Sequence, residues 1–405
     1  MTVVKTPYVN LLDPEFYVDP WEAYRWLRDE SPVHWDPVQR LWGISRHSDV
    51  LHVEKTTGLY SSFSGSRPHL DQSADQSMIN LDDPAHQGQR KLVVRRFTPR
   101  AVRNHEAQVR TVTDQILDDA LAGRARSIEV VEQVASRLPA MVIGELLGYD
   151  PDHWPMVRTL SELTMRNAGQ TPADGSDARS NQRPDPTSAE VSIEWVAVTM
   201  QVIAARRAEP KDDLISTWCH SETDGVPWDE GRILEETILV LDGGAETTRT
   251  VIGSIVHELA IRPDVQRQLR QNPELLTAGV EEFIRWVSPI LNMRRTVTAD
   301  HELRGQQLRA GDEVLLLYAA ADRDERVFDR PEEFNVARQP NPHLAFGFGT
   351  HVCLGASLAR LELRVMFEQL LSRLPEWRLV PNTEPHIIPA TFARAYDAVH
   401  IEFSR

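Results

Sequence analysis

Residues 232–263 read RILEETILVLDGGAETTRTVIGSIVHELAIRP and carry the pattern of one long helix, ended by Pro263. A chain built on such an element belongs to the mainly α class. Two consecutive glycines, Gly243 and Gly244, sit in mid-helix, where each costs about 1 kcal/mol relative to alanine. Either a local opening of the helix or close packing against a partner would account for them. The acid and hydroxyl that follow, Glu246 and Thr247, are the pair that proton delivery requires. Ordinary polar residues beside a packing glycine pair would look the same.

Helical patterns dominate elsewhere too. Residues 19–30 open with Asp19 as N-cap and Pro20 at the first helical position. Residues 98–123 repeat that opening with Thr98 and Pro99, and Val102, Val109, Val112, Ile116 and Leu117 keep a helical period. Strand patterns are confined to β-rich parts near 30–60 and 294–321. The stretches 61–84 and 167–190, rich in Ser, Asp and Pro, read as long loops, either lids or disordered segments. With 405 residues, the length prior suggests two or three domains, yet no linker divides the chain.

The formal net charge of −16 disfavours nucleic acid as a partner. Two cysteines, no signal-like start and no apolar run of membrane length point to a cytoplasmic protein that is not membrane-bound. Residues 90–103 form a local basic exception with Arg90, Lys91, Arg95, Arg96, Arg100 and Arg103, readable as a solvated helix face or a docking patch. Cys219 has no special setting and reads as structural.

Cys353 is different. It lies in HLAFGFGTHVCLG, residues 343–355, among Gly347, Gly349 and Gly355 and just before a helical stretch. Glycines let a backbone turn tightly and approach a flat ligand. A following helix N-terminus favours negative charge on sulfur. A buried structural cysteine is the plain alternative, but the spacing Phe346, Gly349, His351, Cys353, Gly355 is specific.

This stretch resembles the haem-thiolate signature of the cytochrome P-450 superfamily, and the resemblance spans essentially the whole chain. It implies one domain over 1–405 with the cytochrome P-450 fold: a large helical part, a small β-rich region and the haem-ligand loop 343–355. It implies haem b with Cys353 as the iron ligand, Phe346 packed near the sulfur, and His351 at a haem propionate. Gly244, Ala245, Glu246 and Thr247 match the family's segment over the haem, with Gly243 adding room and Glu246 and Thr247 relaying protons. His86 and Arg90, at i and i+4, match the propionate-binding pair. Of Arg294 and Arg295, adjacent on a strand, the family spacing favours Arg295 at the haem, which leaves Arg294 towards solvent. The pattern of VEEFIRW alone makes Glu282 and Arg285 a solvated i,i+3 pair, whereas the family buries them, with Arg338 as third member.

The implied reaction is monooxygenation: dioxygen and two electrons place one oxygen atom in a C–H bond of a hydrophobic small molecule. The expected pocket includes Met78, Ile79, Val240, Gly243, Ile290, Leu291 and residues of 161–200. The expected electron donors are a ferredoxin and its reductase, docking where the 90–103 segment and Arg360 add positive charge. A monomer is expected. The stretches SPILNMRRTVTAD and NPHLAFGFGTHVCLGASLARLEL look most like actinobacterial steroid and branched-lipid hydroxylases. Secondary-metabolite tailoring, a peroxide-driven peroxygenase and a non-enzymatic haem sensor are the alternatives.

Overall fold

The computed structural model describes residues 7–67, 72–123, 126–167, 186–223 and 225–404. Its spine is the helix Glu230–Ala260, started by Asp229, whose side chain accepts from the Arg232 N–H at 2.9 Å. Thirty-one residues make it roughly 46 Å long. It runs through Gly243 and Gly244 without a break, so the helix does not open there. Close packing is the answer for Gly244: a Cβ there would stand 2.8 Å from Cγ1 of Ile143. At Gly243 a Cβ would meet nothing within 4 Å.

The helices Arg137–Leu147, Trp154–Asn167, Leu276–Val287 and Ala356–Arg373 pack against this spine. One hydrophobic core runs from Met78 to Ile401 and takes in the inner faces of these elements. Among the described residues no helix is long and apolar enough to cross a membrane.

The main sheet has five strands in the order Val33–Asp36, Leu41–Ile44, Glu313–Leu317, Asn292–Val297, Tyr60–Ser61. Its one parallel pairing sets Val314 opposite Trp42. A second sheet joins Trp377–Leu379, His400–Phe403 and Ser127–Glu129. The β-rich regions thus lie where alternation placed them, though the second sheet was not anticipated.

Helix boundaries differ in instructive ways. The first helix is Trp21–Glu30, with Pro20 rather than Asp19 at the cap. Thr98 does cap its helix, accepting from the Ala101 N–H. That helix ends at Arg103, because Asn104 and His105 donate to carbonyls three residues back, a tightening that breaks the α ladder before Glu106–Ala120. Pro263 opens the next helix, Pro263–Gln271, as well as closing the long one. Of the two irregular stretches, 68–71 and 168–185 lie outside the described residues.

Candidate active site

The cysteine loop is built backwards from a buried ion pair. Glu282 and Arg285, on Leu276–Val287, are both fully buried. Glu282 accepts from Arg285 at 2.8 and 2.9 Å, from Arg338 at 3.1 Å, and from Asn341 and the Asn335 N–H. Arg285 donates onward to the Asp322 and Pro331 carbonyls. Asp322 in turn accepts from the Leu344 N–H at 2.6 Å. The solvated reading of this pair is therefore overturned. Val280, Phe283, Ile284 and Val287 of the same helix face the core, and the pair is buried because the 322–341 segment closes over it.

From Leu344 the chain curls around Cys353. Gly347 and Gly349 have φ of +66° and +72°, and a Cβ on Gly349 would stand 2.6 Å from the Glu54 carbonyl oxygen. The Cys353 N–H donates to the Phe346 carbonyl at 2.8 Å. The sulfur faces a cavity of about 410 Å³ at the N-terminus of Ala356–Arg373. Burial pushes the thiol up, opposed by the Gly355 N–H, Arg90, Arg360 and the Ala356 N–H.

The cavity's opposite wall is the long helix, including Val240, Gly243, Gly244 and Thr247. Thr247 donates to the Gly243 carbonyl at 2.9 Å. One flank carries a cluster of basic side chains: His86, Arg90, Arg295 and His351. The His86 and His351 rings stack with centroids 4.1 Å apart. Arg90 donates to the Val352 carbonyl, and Arg295 pairs with Glu54 at 3.2 Å. Burial, then Arg295 and His86, push the His351 imidazole down to about 2. Burial likewise lowers His86. Side chains forced neutral beside two guanidiniums mark a place suited to an anion.

A sequence profile described as Cytochrome P-450 matches residues 198–398. A steroid C26-monooxygenase of Mycobacterium tuberculosis is 38% identical over 99% of this chain and 98% of its own length. The chain belongs to the cytochrome P-450 family. A cytochrome P-450 of Mycobacterium marinum, CYP268A2, in complex with pseudoionone superposes with a TM-score of 0.88, 29% identity and complete coverage of both chains. CYP109E1 of Bacillus megaterium in complex with testosterone gives 0.86 and 28% identity, covering 97% of this chain and all of that one.

This cytochrome P-450 is a haem b monooxygenase, and the cavity suits the cofactor. It offers one thiol, a glycine-lined approach at Gly347 and Gly355, and two guanidiniums for two carboxylates. Of the residues expected there, Cys353, His86, Arg90, Arg295, His351, Phe346, Gly244 and Gly355 all line the cavity. Gly349 does not; its role is the turn against Glu54. Thr247 lines it, but Glu246 is buried behind the wall in an ion pair with Arg249.

Met78, Ile79, Val240, Gly243 and Ile290 also line the cavity. Leu291 does not: it is fully buried in the N-terminal cluster with Leu11, Tyr17 and Leu317, because successive residues point to opposite sides of an extended segment. None of the described side chains of 161–200 lines the cavity, and those of 164–189 lie outside the described residues. Arg294 does point away from the cavity, but it is 3% exposed, donating to the Gly65 carbonyl and to Glu313. The 64–65 loop covers it, so it does not reach solvent.

Sequence reasoning missed three acids near the site. Glu362 lines the cavity fully enclosed, with no partner for Oε2 among the described residues, and burial pushes it up to about 8. Glu236 is also pushed to about 8 by burial, while accepting from the Met78 N–H. Each sits in an apolar helical stripe, Glu362 between Leu358 and Met366, Glu236 between Ile233 and Val240. That is a legible signal. Asp242, paired with Arg67, is the third.

Proposed function

We propose that this enzyme hydroxylates an aliphatic C–H bond of a steroid or branched lipid. The observation that carries the reading is the cavity itself: mostly apolar, facing the Cys353 thiol, with open space beside Gly243. The resemblance to a steroid C26-monooxygenase over 99% of the chain supports the substrate class. Bound haem supplies dioxygen activation, with thiolate ligation favouring O–O cleavage.

The chain's own residues divide the remaining work. Cys353 holds the iron, its charge stabilised by the Gly355 and Ala356 N–H groups and by Arg90 and Arg360. His86, Arg90, Arg295 and His351 take the propionates. Thr247 presents its hydroxyl to the cavity, and Glu246 passes protons to it from behind the wall once Arg249 lets it go. Glu282, Arg285 and Arg338 hold the loop that sets the depth of the sulfur.

Electrons come from a ferredoxin and its reductase in the cytoplasm, with the enzyme acting as a monomer. Lys91, Arg95, Arg100 and Arg103 are exposed and form the docking charge. Arg96 and Arg360 contribute less, being paired with Asp212 and Glu281.

The test is ferredoxin-driven turnover on steroids, branched fatty acids and terpenes, with oxygen uptake and product analysis. Hydroxylated product from the steroid or branched-lipid set is expected. An absence of both oxygen uptake and organic product with every class would contradict the reading and leave a sensor.

A further inference from the structure

Arg67 and Asp242 form an ion pair, N to O 3.2 Å, within the wall of the same apolar cavity. The Asp242 side chain is 5% exposed and that of Arg67 is 17% exposed. Asp242 directly precedes Gly243, beside the open space, and lies five residues before Thr247, about 7.5 Å along the helix. The Arg67 guanidinium also lies over the Phe392 ring, 5.3 Å from its centroid.

An ion pair in an apolar wall is costly to maintain, and tying the loop to the helix does not require it. The Gln76 and Met78 N–H groups already donate to Glu235 and Glu236 at 3.1 and 2.6 Å, fastening the same loop to the same helix. What the pair adds is a donor and an acceptor side by side at one point of the wall. A guanidinium gives only donors and a carboxylate only acceptors. A hydroxyl group can satisfy both at once; a ketone can satisfy one.

Asp75 and Glu235 also line the cavity, so that with Asp242 three acids accompany Arg67 there among the described residues. Asp75 accepts from the Ser77 N–H and from Asn80, so it is committed to the loop. A carboxylate ligand would meet net negative charge here, and a neutral one would not.

We propose that Arg67 and Asp242 form a substrate-reading site for a neutral hydroxyl on an otherwise apolar molecule. The oxygen accepts from Arg67 and the proton is donated to Asp242. This rests on the reading of the cavity as the site of an apolar substrate. It adds the rule that alcohols of a given skeleton are preferred to the matching hydrocarbon, ketone or acid.

The experiment is spectral titration of the ferric holoenzyme with matched sets: cholestanol, cholestanone and cholestane; menthol, menthone and menthane; dodecanol, dodecane and dodecanoic acid. For at least one skeleton the alcohol is expected to bind about tenfold or more tightly than the hydrocarbon. In the double variant Arg67→Gln, Asp242→Asn that ratio falls to about threefold or less, with hydrocarbon affinity unchanged. A lost loop fastening would instead weaken every ligand alike. Should the double variant not take up haem, Arg67→Met carries the same test, and Arg67→Lys retains the preference. Equal binding of alcohol and hydrocarbon, tighter binding of the acid, or a preference that survives in the double variant or in Arg67→Met would overturn the proposal and leave the cavity reading standing. No spectral response to any skeleton would overturn both.

Discussion

Glu282 and Arg285 stand one helical turn apart, both fully buried, and Glu282 accepts two hydrogen bonds from Arg285. The pair reaches the cysteine loop through Asp322 and Leu344. Removing one partner leaves an uncompensated charge inside the protein, worth about 3–5 kcal/mol. Glu282→Ala and Arg285→Ala should each lower folding stability by that order and reduce haem retention. Urea denaturation with haem absorbance checks both. A loss under about 1 kcal/mol would mean that the pair behaves as a surface bridge.

The two glycines of the long helix should respond oppositely to alanine. Gly244→Ala forces a methyl against Ile143, which is overpacking worth about 1–3 kcal/mol of destabilisation. Gly243→Ala meets nothing and gains helix propensity, up to about 1 kcal/mol of stabilisation. The same methyl intrudes on the cavity and should weaken bulky ligands more than small ones. Thermal melts and ligand titrations of the two variants, side by side, test the contrast.

Glu281 gives a pH signature. Burial pushes its carboxyl up, but Arg360 at 2.7 Å and His343 at 3.2 Å outweigh burial and hold it at about 2, against an ordinary 4.5. A depressed carboxylate stabilises the fold above its unfolded value and loses that contribution as pH falls towards the folded one. Because Arg360 is 41% exposed, solvent screening trims the effect to about 1–2 kcal/mol. Glu281→Gln should be less stable by that amount at neutral pH. The deficit should shrink between about pH 4.5 and pH 2, as denaturant titrations across that range would show.

The basic flank makes a kinetic prediction. Arg95 and Arg100 are exposed. Arg95→Glu with Arg100→Glu should slow reduction by an acidic ferredoxin roughly tenfold or more at low salt and flatten its salt dependence. Stopped-flow reduction at several ionic strengths reads both. Unchanged rates would move the docking site elsewhere.

How much of this was legible in the sequence depends on the kind of signal. The spine helix and the β-rich regions follow from periodicity, because burial imposes it on consecutive residues. The cysteine loop was legible because its spacing is local. Glu282 and Arg285 were misread from pattern alone, since the residues that cover them lie 37 to 59 positions away. Arg294 was misplaced for the same reason: the 64–65 loop that shields it is distant in sequence. Leu291 failed by one residue of register. The Arg67–Asp242 pair spans 175 positions, so sequence spacing could not reveal it.

The central claim is that the Cys353 sulfur holds haem iron as a thiolate. The most direct measurement is the absorption spectrum of the reduced holoenzyme under carbon monoxide, for the wild type and for Cys353→His. The account predicts the long-wavelength thiolate band, from which the family takes its name, in the wild type and its replacement by the shorter-wavelength band of an imidazole-ligated haem in the variant. A wild type without that band, or a variant that keeps it, would contradict the account.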